Sequence, residues 1–189
     1  MKSVLAPFAL ATIEAEPSTV YALTSDLRIS YVNPAWTEFA RSNRAQWAGE
    51  EWGPGRPVLD AVPLVLRPFY DSLFARALDK REVVTHEYDC SSPDEERLFQ
   101  MRVHPCDSGG LLVVHSPLRV APRERPTTPG PDALYRSAEG RITLCSHCRR
   151  VRRVDEHSSW DWVPRLVEGP QSGTSHGLCR VCAEYYYPG

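Results

Sequence analysis

Residues 23–40 read LTSDLRISYVNPAWTEFA, and this stretch decides the fold of the first half of the chain. The β-prone runs 19–24 and 29–32 flank a short polar turn, which indicates a β-hairpin. Asn33 is a favourable helix N-cap, and Pro34 follows at the first helical position, where proline is well tolerated. The stretch therefore predicts a hairpin followed at once by a short helix.

The patterns of the next 80 or so residues predict helices and then strands. Apolar residues recur at helical spacing after Pro68, so 68–80 should form an amphipathic helix, preceded by a short helical turn within 58–66. Three strands with short connections then follow, at 82–90, 97–104 and 110–116. Strands and helices segregated in this order are typical of an α+β domain with helices on one face of an antiparallel sheet.

The same order, together with the run quoted above, resembles a PAS domain over residues 18–119. The resemblance implies a five-stranded antiparallel sheet in the order 2-1-5-4-3, with short helices that cup a pocket. Haem or another ligand in that pocket is not favoured, because core packing is the simpler role for the aromatic side chains, and the Asn-Cys pair of flavin photosensors is missing. If haem were bound, His86 would be the candidate ligand. The candidate pocket residues are Trp36, Phe39, Phe69, Phe74 and His86.

Four of the six cysteines form two CxxC pairs near the C-terminus, Cys145 with Cys148 and Cys179 with Cys182. Each pair brings two sulfurs to one side of a turn, and two such turns supply the tetrahedral thiolate set of a structural zinc site. Metal binding also suits a small module, since a core of this size is near the lower limit for folding alone. The pattern predicts one zinc ion per chain.

Other polar residues lie close to these pairs. His147 and His176 are candidates for supporting the thiolates by hydrogen bonds or, alternatively, for replacing one of them as ligand. The four arginines after Cys148 can compensate the negative charge of a zinc-thiolate centre or contact phosphate groups, and both roles remain open at this point. This candidate basic patch consists of Arg149, Arg150, Arg152 and Arg153.

The run CSHCRRVR, a tryptophan-containing middle, and SHGLCRVC before YYYP resemble a cysteine module that follows PAS domains in bacterial signalling proteins. The resemblance spans 142–188 and implies a bacterial, cytoplasmic signalling role. A run rich in proline separates the two regions. The predicted domains are an N-terminal helix or cap at 1–17, the PAS-like domain at 18–119, a proline-rich linker at 120–137 and a four-cysteine zinc-binding module at 138–189.

Composition and motifs exclude several classes of function. A net charge of −2 argues against a general polyanion binder, and no apolar run is long enough to span a bilayer or is followed by a convincing signal-peptide cleavage site. The GxSxG match at 173–177 lacks the strand-turn-helix context of a hydrolase, so no enzymatic activity is expected. Within the 189 residues no kinase, cyclase or helix-turn-helix pattern is found, so a signal should leave through protein contact, through a change in oligomeric state or through the zinc module itself.

We therefore expect a non-enzymatic, cytoplasmic signal-transduction protein of bacteria. Its PAS-like domain would sense a stimulus or form a homodimer, and its zinc module would contact a signalling partner still to be identified. Two alternatives stay open. In one, the basic module of a transcription-linked regulator binds nucleic acid, which the charge balance does not favour. In the other, the paired cysteines form a thiol-based redox sensor.

Overall fold

The computed structural model describes residues 5–43, 52–92, 95–122, 131–167 and 173–189. The chain forms two compact units. The first unit comprises 1–62, 67–88 and 98–118, and the second comprises 63–66, 89–97 and 119–189. The predicted linker lies outside the described residues between 123 and 130, and so do residues 1–4 of the predicted cap.

The first unit is built on a five-stranded sheet with the order β2-β1-β5-β4-β3, as the resemblance implied. The two strands of the hairpin run antiparallel, and Tyr21 of the first lies opposite Val32 of the second. The strands are β1 (Thr19–Leu23), β2 (Ile29–Val32), β3 (Val84–Asp89), β4 (Glu95–Pro105) and β5 (Leu111–Pro122).

Short helices pack on one face of this sheet and form the core of the first unit with it. They are α2 (Pro34–Ser42), a 3-10 segment at Val58–Ala61 and α3 (Arg67–Lys80); a second 3-10 segment, Leu64–Leu66, belongs to the second unit. α+β was the predicted class, and the structure confirms it. The buried cluster contains Leu23, Ile29, Val58, Leu73, Phe74, Ala77, Val84, Met101, Val103, Leu111 and Val113.

The other face of the sheet is covered by the N-terminal segment, which contains α1 (Leu10–Ala15). Leu5 and Ile13 from this segment are buried against Val20, Leu112 and other apolar residues of the central strands. Central strands buried on both faces carry nearly continuous apolar runs, and TVYAL in β1 is such a run. The N-terminal segment therefore acts as a cap on the second face.

Asn33 connects this cap to the sheet and to α2. Its Oδ1 accepts hydrogen bonds from the backbone N–H groups of Val20 at 2.9 Å and Trp36 at 3.0 Å, the second of which is the predicted N-cap bond. Its Nδ2 donates to the backbone carbonyls of Ile13 and Glu16, and also to that of Ser18. One buried amide thus satisfies backbone groups from three segments that would otherwise lose hydrogen bonds on burial.

The fifth strand extends further than its sequence pattern predicts. β5 runs to Pro122, whereas the alternating burial that marks a strand in sequence stops near Ser116. The side chains of 117–120 are exposed although the backbone remains extended and paired. Apolar periodicity detects burial of side chains rather than backbone pairing, which explains the difference.

The second unit contains a four-stranded sheet in the order β8-β7-β6-β9, in which β6 and β9 are parallel. Tyr135, inside the segment predicted as linker, is 1% exposed and packs in the core of this unit with Ile142 and Val163. The elements are a 3-10 segment (Asp132–Leu134), β6 (Ile142–Cys145), β7 (Val151–Arg152), β8 (Trp160–Asp161), α4 (Pro164–Val167), β9 (Thr174–Gly177) and α5 (Arg180–Tyr186).

Candidate metal centre

The structure brings the four paired cysteines of the second unit into one cluster. The Sγ atoms of Cys145, Cys148, Cys179 and Cys182 all lie within 4.8 Å of one another. Cys145 ends β6, and Cys179 is the N-cap residue of α5, which places Cys182 in the first turns of that helix. Because β6 and β9 are parallel neighbours, the chain leaves both strands at the same edge of the sheet, and this brings the two CxxC turns together.

The cluster is shielded from solvent and organised by hydrogen bonds to sulfur. Cys145, Cys179 and Cys182 are buried, and the backbone N–H of Cys179 donates to Sγ of Cys145 at 3.4 Å. Sγ of Cys148 lies 3.8 Å from Sγ of Cys179. Backbone N–H groups that point at sulfur stabilise thiolates, and four convergent thiolates are the donor set of closed tetrahedral metal sites.

Ionisation of the four thiols is unequal. Hydrogen bonds from Cys148 and then Cys182 lower the pKa of the Cys145 thiol. The hydrogen bond between Cys148 and Cys145 raises the pKa of Cys148 to about 12, and a separate hydrogen bond to Cys145 raises the pKa of Cys182. A metal ion bound by these sulfurs would displace their protons, because thiolates are the ligand form of cysteine. These four residues could hold a metal ion.

His147 lies between the first pair of cysteines and supports their turn from outside the cluster. Its Nε2 accepts a hydrogen bond from the backbone N–H of Asp89 at 3.4 Å, which leaves Nδ1 as the donor to the hydroxyl of Tyr186 at 2.8 Å. Burial lowers the pKa of His147, so the neutral ring that these contacts need is favoured. The sequence analysis did not identify Tyr186 as a residue that supports the cysteines. Only its place in the aromatic run after the last cysteine could have pointed to it.

His176 lies in β9, opposite Leu144 of β6, and its side chain is exposed. It does not join the four-cysteine cluster within the described residues. The two histidines that were equal candidates by spacing thus occupy different environments.

The four arginines of the candidate basic patch point to different partners. Arg149 donates through Nη2 to the backbone carbonyl of Val167 at 2.8 Å, and Arg153 forms ion pairs with Asp155 and Asp161. Arg152 donates to Thr143 Oγ1 at 3.4 Å, and the side chain of Arg150 is exposed. The run of basic residues in sequence is not a continuous stripe on the surface.

Four of the five candidate pocket residues of the first unit, all except Trp36, lie in a cluster of aromatic rings. The rings of Phe69 and His86 are 4.8 Å apart, and those of Phe39 and Phe99 are 5.9 Å apart. Phe74 is 1% exposed, and Trp36 is half-buried in the first turn of α2. Aromatic pairs at these separations contribute to packing beyond their buried area.

A second histidine in this cluster, His115 of β5, also lies on the strands that follow α3, although His86 was the predicted candidate for a haem ligand. His115 lies 2.7 Å from the hydroxyl of Tyr88 through Nδ1 and 3.3 Å from that of Tyr21 through Nε2. Burial, with a smaller effect of His86, lowers the pKa of His115 to about 4. Burial likewise raises the pKa of Tyr21. His115 is therefore a neutral, hydrogen-bonded member of the core.

Comparison with known families identifies the first unit. A family model described as PAS fold matches residues 13–117, which is more than half of the chain. The chain belongs to the PAS fold family. The PAS domain accounts for the sheet order and for the helices on one face, whereas the four-cysteine cluster lies beyond the matched residues. No curated protein matches the chain.

Several solved structures are similar to the chain at low identity. The PAS domain of Bordetella pertussis BvgS is 16% identical, with a TM-score of 0.45, and the match covers 58% of this chain and 82% of that one. A domain of an HTR-like protein from Haloarcula marismortui is 16% identical, with a TM-score of 0.41, over 55% of this chain and all 100% of that one. The PAS domain of nitrogen regulation protein NR(II) from Vibrio parahaemolyticus is 15% identical, with a TM-score of 0.38, over 59% and 100%.

Within the described ranges, no helix combines the length and the apolar composition that crossing a membrane requires.

Proposed function

We propose that this chain is a non-enzymatic signalling protein of the bacterial cytoplasm, in which the PAS domain senses a stimulus or pairs with a second copy. The cysteine module (residues 138–189) would hold one zinc ion and contact a partner protein. The observation that carries the proposal is the convergence of four cysteine sulfurs within 4.8 Å, in a chain that also contains a PAS domain.

Zinc is the metal that this donor set favours. Four thiolates from two CxxC turns form a closed tetrahedral environment, which is typical of structural zinc and leaves no open position for a substrate. In a reducing compartment paired cysteines bind metal more often than they form disulfides, so the two CxxC pairs suit a cytoplasmic protein. These features support a structural role for the metal and a cytoplasmic location.

The helix that carries Cys182 also supports a role in protein contact. Val181 is 71% exposed and Tyr185 is 52% exposed, and the two lie four residues apart on α5. An apolar and an aromatic side chain on one exposed helix face, beside a rigid metal centre, are suitable anchors for a partner protein.

The test is elemental analysis of the full chain combined with recovery of bound protein from the source bacterium. We expect about one zinc ion per chain, and a partner that is retained by Cys90→Ser and lost from both Cys182→Ser and Val181→Glu. Cys90 is a free thiol outside the cluster, so it is the matched control. Iron in place of zinc, or equal recovery with all variants, would contradict the proposal. Sedimentation of the full chain tests the homodimer.

A thiol-based redox sensor is the second candidate, because the four sulfurs lie close enough together for two of them to pair once the metal is released. Two such thiols can form a disulfide when an oxidant such as peroxide accepts two electrons and two protons, with release of the metal. Zinc release on peroxide treatment, reversed by a dithiol, would support this candidate. The nucleic-acid alternative stays a prediction, with Arg149 bonded to a backbone carbonyl and Arg153 to Asp155.

A further inference from the structure

A polar groove of about 300 Å³ lies on the sheet of the second unit, separate from the four cysteines. Its walls combine charged and hydroxylated side chains with Tyr135 and Val154, and neither the metal centre nor its supporting hydrogen bonds use the polar ones. The polar side chains that matter for its chemistry are Glu139, Arg141, Thr143, Arg152, His157 and Ser175.

Three of these side chains form a row across neighbouring strands. Thr143 of β6 lies opposite Ser175 of β9 in the parallel ladder. The pairing of Leu144 with Val151 in the antiparallel ladder places Thr143 beside Arg152. Because side chains alternate between the two faces of a sheet, all three residues stand on the same face, opposite to the buried Ile142 and Val151.

A chain of hydrogen bonds links the row. Arg152 Nη2 donates to Thr143 Oγ1 at 3.4 Å, and the Oγ atoms of Thr143 and Ser175 are 2.9 Å apart. Ser175 Oγ can donate to the backbone carbonyl of Ile142 at 3.2 Å. These bonds orient the two hydroxyls and leave most of the guanidinium N–H groups of Arg152 available to a ligand.

The groove carries an excess of positive charge. Among the described residues, ion pairs engage Arg136, Arg153 and Arg165, but none involves Arg141 or Arg152. The one acid in the lining, Glu139, accepts a hydrogen bond from Ser137 at 2.8 Å. Glu139 also interacts electrostatically with Arg141, so two arginines and one carboxylate leave the groove with one net positive charge.

We propose that this groove binds the phosphate group of a small organic phosphate monoester. The guanidinium groups of Arg141 and Arg152 supply the charge-assisted donors that a tetrahedral oxyanion accepts, and the imidazole of His157 lies in the same lining. The volume is at the lower end for small-molecule sites, which suits a phosphate with a sugar-sized substituent. The site is independent of the proposed zinc and partner contacts.

The experiment is calorimetric titration of the metal-loaded full chain with ribose 5-phosphate, inorganic phosphate, ribose and a short DNA duplex. We expect ribose 5-phosphate to bind more tightly than inorganic phosphate, and ribose not to bind. Arg141→Gln and Arg152→Gln should each weaken binding at least about tenfold. Arg150→Gln removes the same charge from an exposed position outside the groove and should leave the affinity unchanged.

Several results would overturn the assignment. One is the absence of any heat of binding with ribose 5-phosphate at millimolar concentration. Another is tighter binding of the DNA duplex than of ribose 5-phosphate, and a third is an equal loss of affinity in Arg150→Gln. A second measurement on the unmodified chain does not depend on the variants. The backbone amide signals of Thr143 and Ser175 should shift on addition of ribose 5-phosphate, and unchanged signals would refute the site. Metal content measured in parallel shows separately whether the zinc proposal holds.

Discussion

In the part of the chain that the structure describes, the main core cluster of the PAS domain buries eleven apolar side chains, whereas the core of the cysteine module buries seven. The PAS domain adds a second buried cluster under its N-terminal cap, while the cysteine module adds four converging sulfurs. The comparison teaches that the PAS domain has apolar area enough for its own core, whereas the smaller core of the other unit would gain stability from the metal ion that we propose, since small domains bury little surface.

The largest expected effect is that of Cys182→Ser, which removes one of four thiolates from the cluster. Structural zinc contributes about 10 to 16 kcal/mol of apparent binding free energy in small peptides, so its loss should unfold the cysteine module. The backbone amides of the PAS sheet should remain protected from hydrogen exchange. Amide hydrogen exchange of both regions provides the measurement, with Cys90→Ser as the control. Equal loss of protection in the two domains would contradict the comparison.

Phe74→Ala tests the other domain. Phe74 is 1% exposed in the main cluster, so truncation should lower the free energy of unfolding of the PAS domain by about 3 to 5 kcal/mol. Metal content should not change. Denaturant unfolding followed by tyrosine and tryptophan signals measures the effect, and Val83→Ala, at a side chain that is 53% exposed, is the control expected to be nearly neutral. Metal loss in Phe74→Ala would show that the two domains are not energetically distinct.

His115 should make the stability of the PAS domain depend on pH. Its pKa falls from 6.5 to about 4 on folding, mainly through burial, so the unfolded chain takes up a proton first on acidification. The contribution of neutral His115 to the free energy of unfolding should be fully present above pH 6.5. It should be lost, by on the order of 2 kcal/mol, as the pH drops from there through about 4. Denaturant midpoints across this range measure the effect. His115→Gln should flatten the dependence, and an unchanged slope in that variant would assign it to other groups.

The smallest expected effect is that of Tyr186→Phe in the cysteine module. It removes the hydroxyl that bonds to His147 and keeps the buried ring, so the expected loss is about 1 kcal/mol, or about fivefold in metal affinity. Competition with a chelating dye measures the affinity. Tyr185→Phe is the matched control, because Tyr185 contacts His147 through its ring. Equal effects of the two variants would argue against support of the metal centre by this hydrogen bond.

Much of the PAS domain was predictable because its signals are local. The N-cap at Asn33, the hairpin before it and the apolar stripe of α3 each depend on residues close in sequence, and all appear in the structure. The end of β5 was not predictable, since its last residues pair through the backbone while their side chains are exposed. The inclusion of Tyr135 in the core of the cysteine module was missed because the prolines around it indicate a linker.

The sequence by itself determined the α+β order and the two CxxC pairs, because apolar periodicity and ligand spacing act over a few residues. Only the tertiary structure decided that His147 bonds to Tyr186, which is 39 positions away, and that Arg152 shares a groove with Arg141 rather than with its neighbours. Strand pairing determines which side chains come into contact, because the register and the face of each strand place them together. Distance along the chain does not encode either.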